Sequence, residues 1–210
     1  MLSEGLGMEN SLAKTVTMCN TIAMKEILTD MERLREIALD QQGLVTRRQA
    51  LEAGVSSGSL RQLAHRGRLE RMSQGVYRVP QAPYDDRTGL RLALLWTGRD
   101  DAALGFETAL DCYGVCDIFT DDVHVVVPAG TRIRRENGEG YVLHREDLQE
   151  EDRSWWEGMP ITTLERTLLD CVSWGTPTYL IRQAVDTAHR DGLIGDKFAG
   201  EAVALMSARI

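Results

Sequence analysis

The 210-residue sequence lacks an apolar run of the roughly 18 residues that a membrane span requires, so a membrane-spanning protein is excluded. It also lacks a cationic start followed by an apolar segment, the pattern of a secretory signal. Its four cysteines are scattered rather than arrayed, which argues against a disulfide framework. We therefore expect a cytoplasmic protein with reduced thiols.

Three common catalytic motifs are also missing: the Gly-rich phosphate loop, the Gly-x-Ser-x-Gly elbow and the His-Glu-x-x-His helix. Their absence removes the most common nucleotide-binding, serine hydrolase and zinc protease classes. We expect no cofactor, no bound metal and no catalytic activity. A nuclease is the enzymatic alternative, and metal-dependent DNA cleavage that is lost on mutating an acidic cluster would support it.

Charge is distributed unevenly along the chain. The formal net charge is −8, yet residues 44–79 hold seven arginines against Glu52 and Glu70, a local charge of +5 that leaves −13 elsewhere. Because duplex DNA is a dense line of phosphate charge, the basic segment attracts nucleic acid and the remainder repels it. The sequence therefore predicts α+β architecture in two functional parts: a winged helix-turn-helix over 26–80 and a larger mixed α/β domain over 84–210, preceded by an extended or disordered leader over 1–25.

The basic segment has the pattern of three helices followed by a hairpin. Helically spaced apolar residues predict a first helix over 26–39, ended by Gly43. Thr46 and Gln49 fit a capping box that opens a second helix, and Gly54 permits the turn into a third helix over 56–66. Two strands over 68–72 and 76–79 complete a winged helix-turn-helix.

In such units the second helix of the pair lies in the major groove, while flanking cations hold phosphates. Arg61 is expected to read guanine and Gln62 to read adenine, each through two hydrogen bonds. The alternative is a protein-docking module whose arginines are only solvated. The candidate DNA-binding residues are Arg47, Arg48, Ser57, Ser59, Arg61, Gln62, His65, Arg66, Arg68, Arg71 and Arg78.

The second domain is predicted to mix helices and strands. Helices are expected over 87–96, 102–113, 162–173, 178–190 and 197–207, and paired strands over 124–128 and 140–144. Thr162 and Glu165 fit a second capping box, and Arg166 and Asp170 are spaced for an ion pair within one helix. Purely structural roles explain this pattern, while binding of a nucleotide or partner phosphate at the helix start is the alternative.

Three other groups of residues have simpler, structural explanations. A zinc site drawn from Cys112, Cys116, His124 and His144 lacks the usual close cysteine pair, and buried cysteines are common core residues. The aspartate pairs at 85–86, 100–101 and 121–122 suit capping and turns better than Mg²⁺ binding. The tryptophan pair at 155–156 is as consistent with a core or lid role as with a partner anchor.

Several strings, taken in order, resemble the AbiEi-type antitoxin family of bacterial abortive-infection toxin–antitoxin systems. They are GLVTRRQA at 43–50, VSSGSLRQL at 55–63, GRL at 67–69, GVYR at 75–78, VHVVVP at 123–128 and GMPITTLERTLLD at 158–170. The resemblance covers roughly residues 28–195, and the ordered combination is more specific than any single string.

The resemblance implies that the winged helix binds double-stranded DNA at inverted repeats in the chain's own promoter and represses the operon. It also implies that the second domain counteracts a nucleotidyltransferase-like toxin, directly or indirectly, and the candidates for antitoxicity are Thr162, Thr163, Arg166 and Asp170. Some longer relatives continue into a nuclease-like domain, but no Asp…Glu-x-Lys core is present here. The alternative function is a stand-alone transcriptional regulator whose second domain senses a ligand or dimerises.

Overall fold

A computed structural model describes residues 28–134 and 138–208. The predicted leader and the first two residues of the predicted first helix lie outside the described residues. By internal contacts the chain divides into two units. The first comprises the described residues up to Glu70 together with Tyr77–Pro83, and the second comprises Arg71–Val76 together with the described residues from Tyr84. The predicted α+β architecture is confirmed.

The N-terminal region contains three helices and a small sheet of order β1-β3-β2. Its elements are α1 (Asp30–Leu39), β1 (Leu44–Thr46), α2 (Arg47–Glu52), α3 (Ser57–His65), β2 (Glu70–Ser73) and β3 (Val76–Arg78). The short strand β1 was not predicted. Thr29 caps α1 through a reciprocal bond with Glu32, which satisfies two backbone donors that would otherwise lack partners.

The core of the first unit forms where α1 packs on the helix-turn-helix. Met31, Leu34 and Ala38 recur at helical spacing on α1, and all three are buried. They pack in one cluster with Val45, Ala50, Val55, Leu60, Leu69, Tyr77, Val79 and Ala82. This packing fixes α2 and α3 on a common support, and their polar faces remain in solvent.

The second unit is built on a five-stranded sheet of order β6-β5-β4-β8-β7. Its strands are β4 (Ala103–Leu104), β5 (Val123–Val127), β6 (Tyr141–Arg145), β7 (Arg153–Trp156) and β8 (Met159–Thr162). Strands β5 and β6 pair in parallel, β4 pairs parallel to β8 and antiparallel to β5, and β7 pairs antiparallel to β8. The predicted pairing of β5 with β6 is confirmed.

Helices cover this sheet and create two separate cores. They are α4 (Thr88–Thr97), α5 (Phe106–Tyr113), α6 (Leu164–Trp174), α7 (Thr178–Arg190) and α8 (Asp196–Ala208). Ala93 and Leu94 of α4 pack on the sheet with Val125, Val127, Met159 and Ile161. A larger cluster joins α5 to α8 through Leu110, Leu168, Ile181, Ala184 and Met206.

Two local predictions in this unit were wrong. The helix predicted over 102–113 begins only at Phe106, because Ala103 and Leu104 pair with β5 and β8 as a strand. The predicted capping box of Thr162 with Glu165 is also absent. Thr162 ends β8 and is fully buried, and Thr163 caps α6 by accepting a hydrogen bond from the Arg166 backbone N–H.

Candidate functional site

The helix-turn-helix presents the N-terminus of α3 on an ordered support. Thr46 caps α2 in the predicted reciprocal arrangement with Gln49. Gly54 forms the turn at φ +83°, a left-handed conformation that favours glycine. Ser56 then caps α3 by accepting a hydrogen bond from the Ser59 backbone N–H at 3.0 Å. The positive end of the α3 dipole therefore lies at a helix start whose backbone is capped and ordered.

An arginine joins the two helices of the motif. The Arg47 guanidinium donates from Nη2 to Ser57 Oγ at 3.0 Å, which links the first turn of α2 to the first turn of α3. Arg61 Nε donates to the Ser57 carbonyl at 3.3 Å. Two cationic side chains thus converge on Ser57, so positive charge is concentrated where α3 begins.

The central base-reading candidates lie on the solvent side of α3. Leu60 is buried, and the two residues that follow it, Arg61 and Gln62, are exposed. His65 in the last turn is exposed as well. Ser57 and Ser59 are half-buried and take part in the bonds at the helix start. The side chains with the most reach toward a base edge are therefore those of Arg61 and Gln62.

The flanking arginines fall into two groups. Arg48, Arg66, Arg68 and Arg71 are exposed. Arg78 is different, because its Nη1 lies 2.7 Å from Glu70 Oε2 and its side chain is only 25% exposed. This cross-strand pair was not predicted; it engages Arg78 within the protein and leaves it less available for phosphate.

Residues 32–80 match the family model described as transcriptional regulator, AbiEi antitoxin. The match spans α1 to the end of the hairpin and confirms the resemblance for this part of the chain. No curated protein sequence matches the chain. Among solved structures, the RV2827C protein from Mycobacterium tuberculosis is similar at 17% identity and a TM-score of 0.43, over 86% of this chain and 82% of that chain. That similarity is too low to transfer a function.

Of the candidate antitoxicity residues from the AbiEi resemblance, Arg166 and Asp170 lie together in one cluster of charged side chains. The Arg166 Nε donates to Asp170 Oδ1 at 2.7 Å, as the spacing predicted, and its Nη1 donates to Asp152 Oδ2 at 3.0 Å. Its Nη2 donates to Glu146. Glu146 and Asp152 lie 20 and 14 residues upstream of Arg166, so no local sequence pattern predicts their contact with it. One guanidinium therefore holds three carboxylates from three parts of the chain.

Burial sets the electrostatics of this cluster. Asp170 is 6% exposed, and among the described residues its buried Oδ2 has no hydrogen-bond partner. Burial raises the pKa of Asp170 to about 6, against the lowering effect of its hydrogen bond with Arg166. Burial also acts to lower the pKa of Arg166, but the bond to Asp170 and the three carboxylate charges outweigh it and raise that pKa. One guanidinium therefore faces three carboxyl groups, so acidic groups are in excess in this cluster.

The two threonines among these candidates have different surroundings. Thr162 is fully buried, and its hydroxyl lies 2.7 Å from the Thr167 hydroxyl. Thr163 is half-buried and caps α6. The Arg166 side chain is 21% exposed, whereas Thr162 belongs to the core.

The two histidines that were considered for a zinc site, His124 and His144, contact each other instead. His124 Nδ1 lies 3.0 Å from His144 Nε2, and Phe106 stacks on His144. Burial lowers the pKa of His124, an effect that Glu107 partly offsets, and it lowers the pKa of His144 to about 4. Both rings are therefore neutral at pH 7, and their hydrogen bond joins β5 to β6.

Burial disfavours the thiolate form of the two cysteines. It raises the pKa of Cys112 to about 12 and that of Cys116 to about 11. Within residues 28–134 and 138–208, no three His, Cys, Asp or Glu side chains are grouped to hold a metal ion. Over the same ranges, no helix is long and apolar enough to cross a membrane.

Proposed function

We propose that the chain is the antitoxin of a bacterial toxin–antitoxin system, which binds its own promoter through the winged helix and represses the operon. The second domain counteracts a nucleotidyltransferase-like toxin. The observation that most supports this proposal is the start of α3, where Arg47 bonds to Ser57 while Arg61 and Gln62 face solvent. The match of residues 32–80 to the AbiEi antitoxin regulators supports the same assignment.

In this proposal, exposed side chains of α3 read bases, and the exposed arginines that flank them bind phosphates. Arg61 makes two hydrogen bonds to guanine, and Gln62 makes two to adenine. Arg48, Arg66 and Arg68 contact phosphates and carry no sequence information. Arg71 on the hairpin is expected to do the same.

A binding-site selection on full-length variants tests this division. Arg61→Ala should cost about 1–3 kcal/mol in operator binding and relax the preference at one base position. Arg68→Ala is the matched control, because it also removes one exposed arginine, and it should weaken binding to all sequences alike. Equal loss of preference in both variants would show that Arg61 reads no base.

The regulatory and antitoxic roles are separated by co-expression. The gene next to that of this chain, which the proposal expects to encode a nucleotidyltransferase-like protein, is expressed with wild-type chain, Arg61→Ala or Arg166→Ala, and cell growth and promoter activity are measured together. Arg61→Ala should lose repression and keep protection. Arg166→Ala should lose protection, either through a lost functional contact or through a weakened helix in the second domain, and keep operator binding. If wild-type chain represses but never protects, the chain is a stand-alone regulator instead.

A further inference from the structure

The two helices of the helix-turn-helix are held by little apolar packing. Of the residues described in the six-residue helix α2 only Ala50 is buried, and of those in the nine-residue helix α3 only Leu60 is buried. Leu63 and Ala64 of α3 are half-buried against the same core. Helices this short have no stability of their own, so their direction is set by contacts with the rest of the fold. Polar contacts between α2 and α3 therefore have a large share in fixing how α3 is presented.

One such contact crosses the turn between the two helices. Arg47 lies in the first turn of α2, and its Nη2 donates to the Ser57 hydroxyl in the first turn of α3, 3.0 Å away. The two residues are ten positions apart, and the left-handed turn at Gly54 lies between them. Because Arg47 extends from a helix that Thr46 caps, its bond with Ser57 restrains the start of α3 relative to α2.

The same serine also holds the residue that is expected to read guanine. Arg61 lies one turn after Ser57 on α3, and its Nε donates to the Ser57 carbonyl oxygen at 3.3 Å. This bond directs the side chain toward the start of α3, which is the half of a recognition helix that contacts base edges. It uses Nε and leaves the two terminal nitrogens, Nη1 and Nη2, for the O6 and N7 acceptors of guanine.

We propose that Arg47 is a positioning residue that sets the base preference of Arg61 through Ser57 and does not itself bind a phosphate. Its guanidinium fixes the Ser57 hydroxyl, and the Ser57 carbonyl in turn fixes the direction of the Arg61 side chain. Without the first bond, α3 is held to α2 mainly by its small apolar contact. A shift on the order of 1 Å is enough to spoil a pair of hydrogen bonds, because their strength depends steeply on distance and angle. This inference rests on the proposed function, in which α3 reads the operator.

Arg48 provides a contrast within the same turn of α2. Its side chain is 56% exposed, and its Nε lies 4.0 Å from Glu52 Oε1 on the same helix. An exposed ion pair of this kind contributes little, so the charge of Arg48 stays available to a DNA phosphate. The two neighbouring arginines therefore have different signatures: Arg48 contributes to the salt dependence of binding, and Arg47 contributes to the sequence preference.

The test compares full-length variants on the DNA immediately upstream of the chain's own gene. Fluorescence anisotropy gives the affinity and its salt slope, and binding-site selection from randomised duplexes gives the preference at each base position. Arg47→Ala should weaken binding about fivefold, the effect of one hydrogen bond, and keep the wild-type slope. It should also relax the preference at the base position that Arg61→Ala relaxes. The matched control Arg48→Ala should make the slope less steep by about 0.9 and leave the preference unchanged.

A double-mutant cycle shows whether Arg47 acts through Ser57. Ser57→Ala removes the hydroxyl but retains the carbonyl that bonds to Arg61, so it should reproduce the effects of Arg47→Ala. The double variant should also bind about fivefold more weakly than wild type, whereas two independent effects would multiply to about 25-fold. Ser57→Thr keeps a hydroxyl at the same position and should retain the affinity and preference of the wild-type chain.

Amide hydrogen exchange without DNA separates positioning from loss of structure. Leu34 is buried on α1, and its protection should equal that of the wild-type chain in every variant, because Arg47 and Ser57 lie outside the core. The backbone N–H of Leu60 donates to the Ser56 carbonyl in the first turn of α3. Exchange at Leu60 should be faster in Arg47→Ala and in Ser57→Ala, and unchanged in Ser57→Thr.

Four results would overturn the inference and leave the proposed function standing. A less steep salt slope with an unchanged base preference in Arg47→Ala would make Arg47 a phosphate contact. A multiplied loss in the double variant would show that Arg47 and Ser57 act separately. Loss of preference in Ser57→Thr as large as in Ser57→Ala would exclude the hydroxyl bond as the cause. Loss of protection at Leu34 would assign the bond to the stability of the first unit. Absence of operator binding by the wild-type chain would count against the proposed function as well.

Discussion

Replacing Arg166 by methionine should destabilise the second unit strongly at pH 7. Methionine preserves much of the length of the side chain but removes the charge that Asp170, Asp152 and Glu146 share. Asp170 is 91% buried at its side chain, so it is left as an uncompensated buried carboxylate. Breaking a buried ion pair in this way costs about 3–5 kcal/mol in the free energy of unfolding.

The size of this effect should depend on pH, and the sign follows from the pKa of Asp170. In the wild-type chain burial already raises that pKa to about 6. Without Arg166 the opposing hydrogen bond and charge are lost, so the pKa rises further. Protonation of Asp170 then removes the buried charge, and the deficit at pH 5 should be smaller than the deficit at pH 7.

Tryptophan fluorescence during urea unfolding measures this deficit selectively. All four tryptophans, Trp96, Trp155, Trp156 and Trp174, lie in the part of the chain that follows Tyr84. Their signal therefore reports on the second unit and not on the helix-turn-helix. A deficit under 1 kcal/mol, or one that is equal at pH 5 and pH 7, would refute the reasoning about the Arg166 cluster.

Three further variants test other parts of the structure. His144 has a pKa of about 4 in the fold and about 6.5 when unfolded, so the stability of the wild-type chain falls by up to about 3 kcal/mol as pH drops from 6.5 to 4. His144→Gln should remove this loss. Urea unfolding that depends on pH in the variant as it does in the wild-type chain would contradict this. Gly105→Ala places a Cβ 2.5 Å from Val126 Cγ2 and should lower the free energy of unfolding by about 1–3 kcal/mol, whereas an unaltered urea midpoint would show that the sheet absorbs the methyl group. Thr46→Ala should cost about 1 kcal/mol by removing the α2 cap and speed amide hydrogen exchange at Gln49, so wild-type protection there would count against the cap.

Local chemistry was sufficient to predict the helix-turn-helix. The cap of α2 needs only Thr46 and Gln49, which lie within one helical turn, and the break before α3 needs only Gly54. Because these interactions are short in sequence, the pattern contains them completely. The exposed positions of Arg61 and Gln62 then follow from the helical period once Leu60 is placed inside.

Long-range pairing decided the elements that the sequence did not reveal. Ala103 and Leu104 favour helix, but their partners on β5 and β8 make them a strand. Both Thr162 and Thr163 are plausible helix caps, and the choice between them depends on how far β8 extends. Strands β7 and β8 were missed altogether, although the turn at Glu157 and Gly158, with φ of +47° and +72°, suits a tight hairpin.

The polar clusters of the second unit could not be predicted from the sequence for the same reason. Arg166 and Asp170 share one helix and were predicted as a pair, whereas Glu146 and Asp152 reach Arg166 only through the fold of the sheet. The hydrogen bond of His124 with His144 likewise depends on the parallel register of β5 and β6, in which His124 is opposite Val142. Such contacts have no signature in sequence spacing.

The most direct test of DNA recognition is the salt dependence of binding to the DNA immediately upstream of the chain's own gene. Fluorescence anisotropy with full-length protein gives the slope of log affinity against log salt concentration. If Arg48, Arg66, Arg68 and Arg71 each displace counterions from one phosphate, the slope is about −4 for each bound copy. We predict a slope near this value and weaker, less selective binding by Arg61→Ala. Salt-insensitive binding, or no preference for the upstream DNA over an unrelated duplex, would contradict promoter recognition by the winged helix.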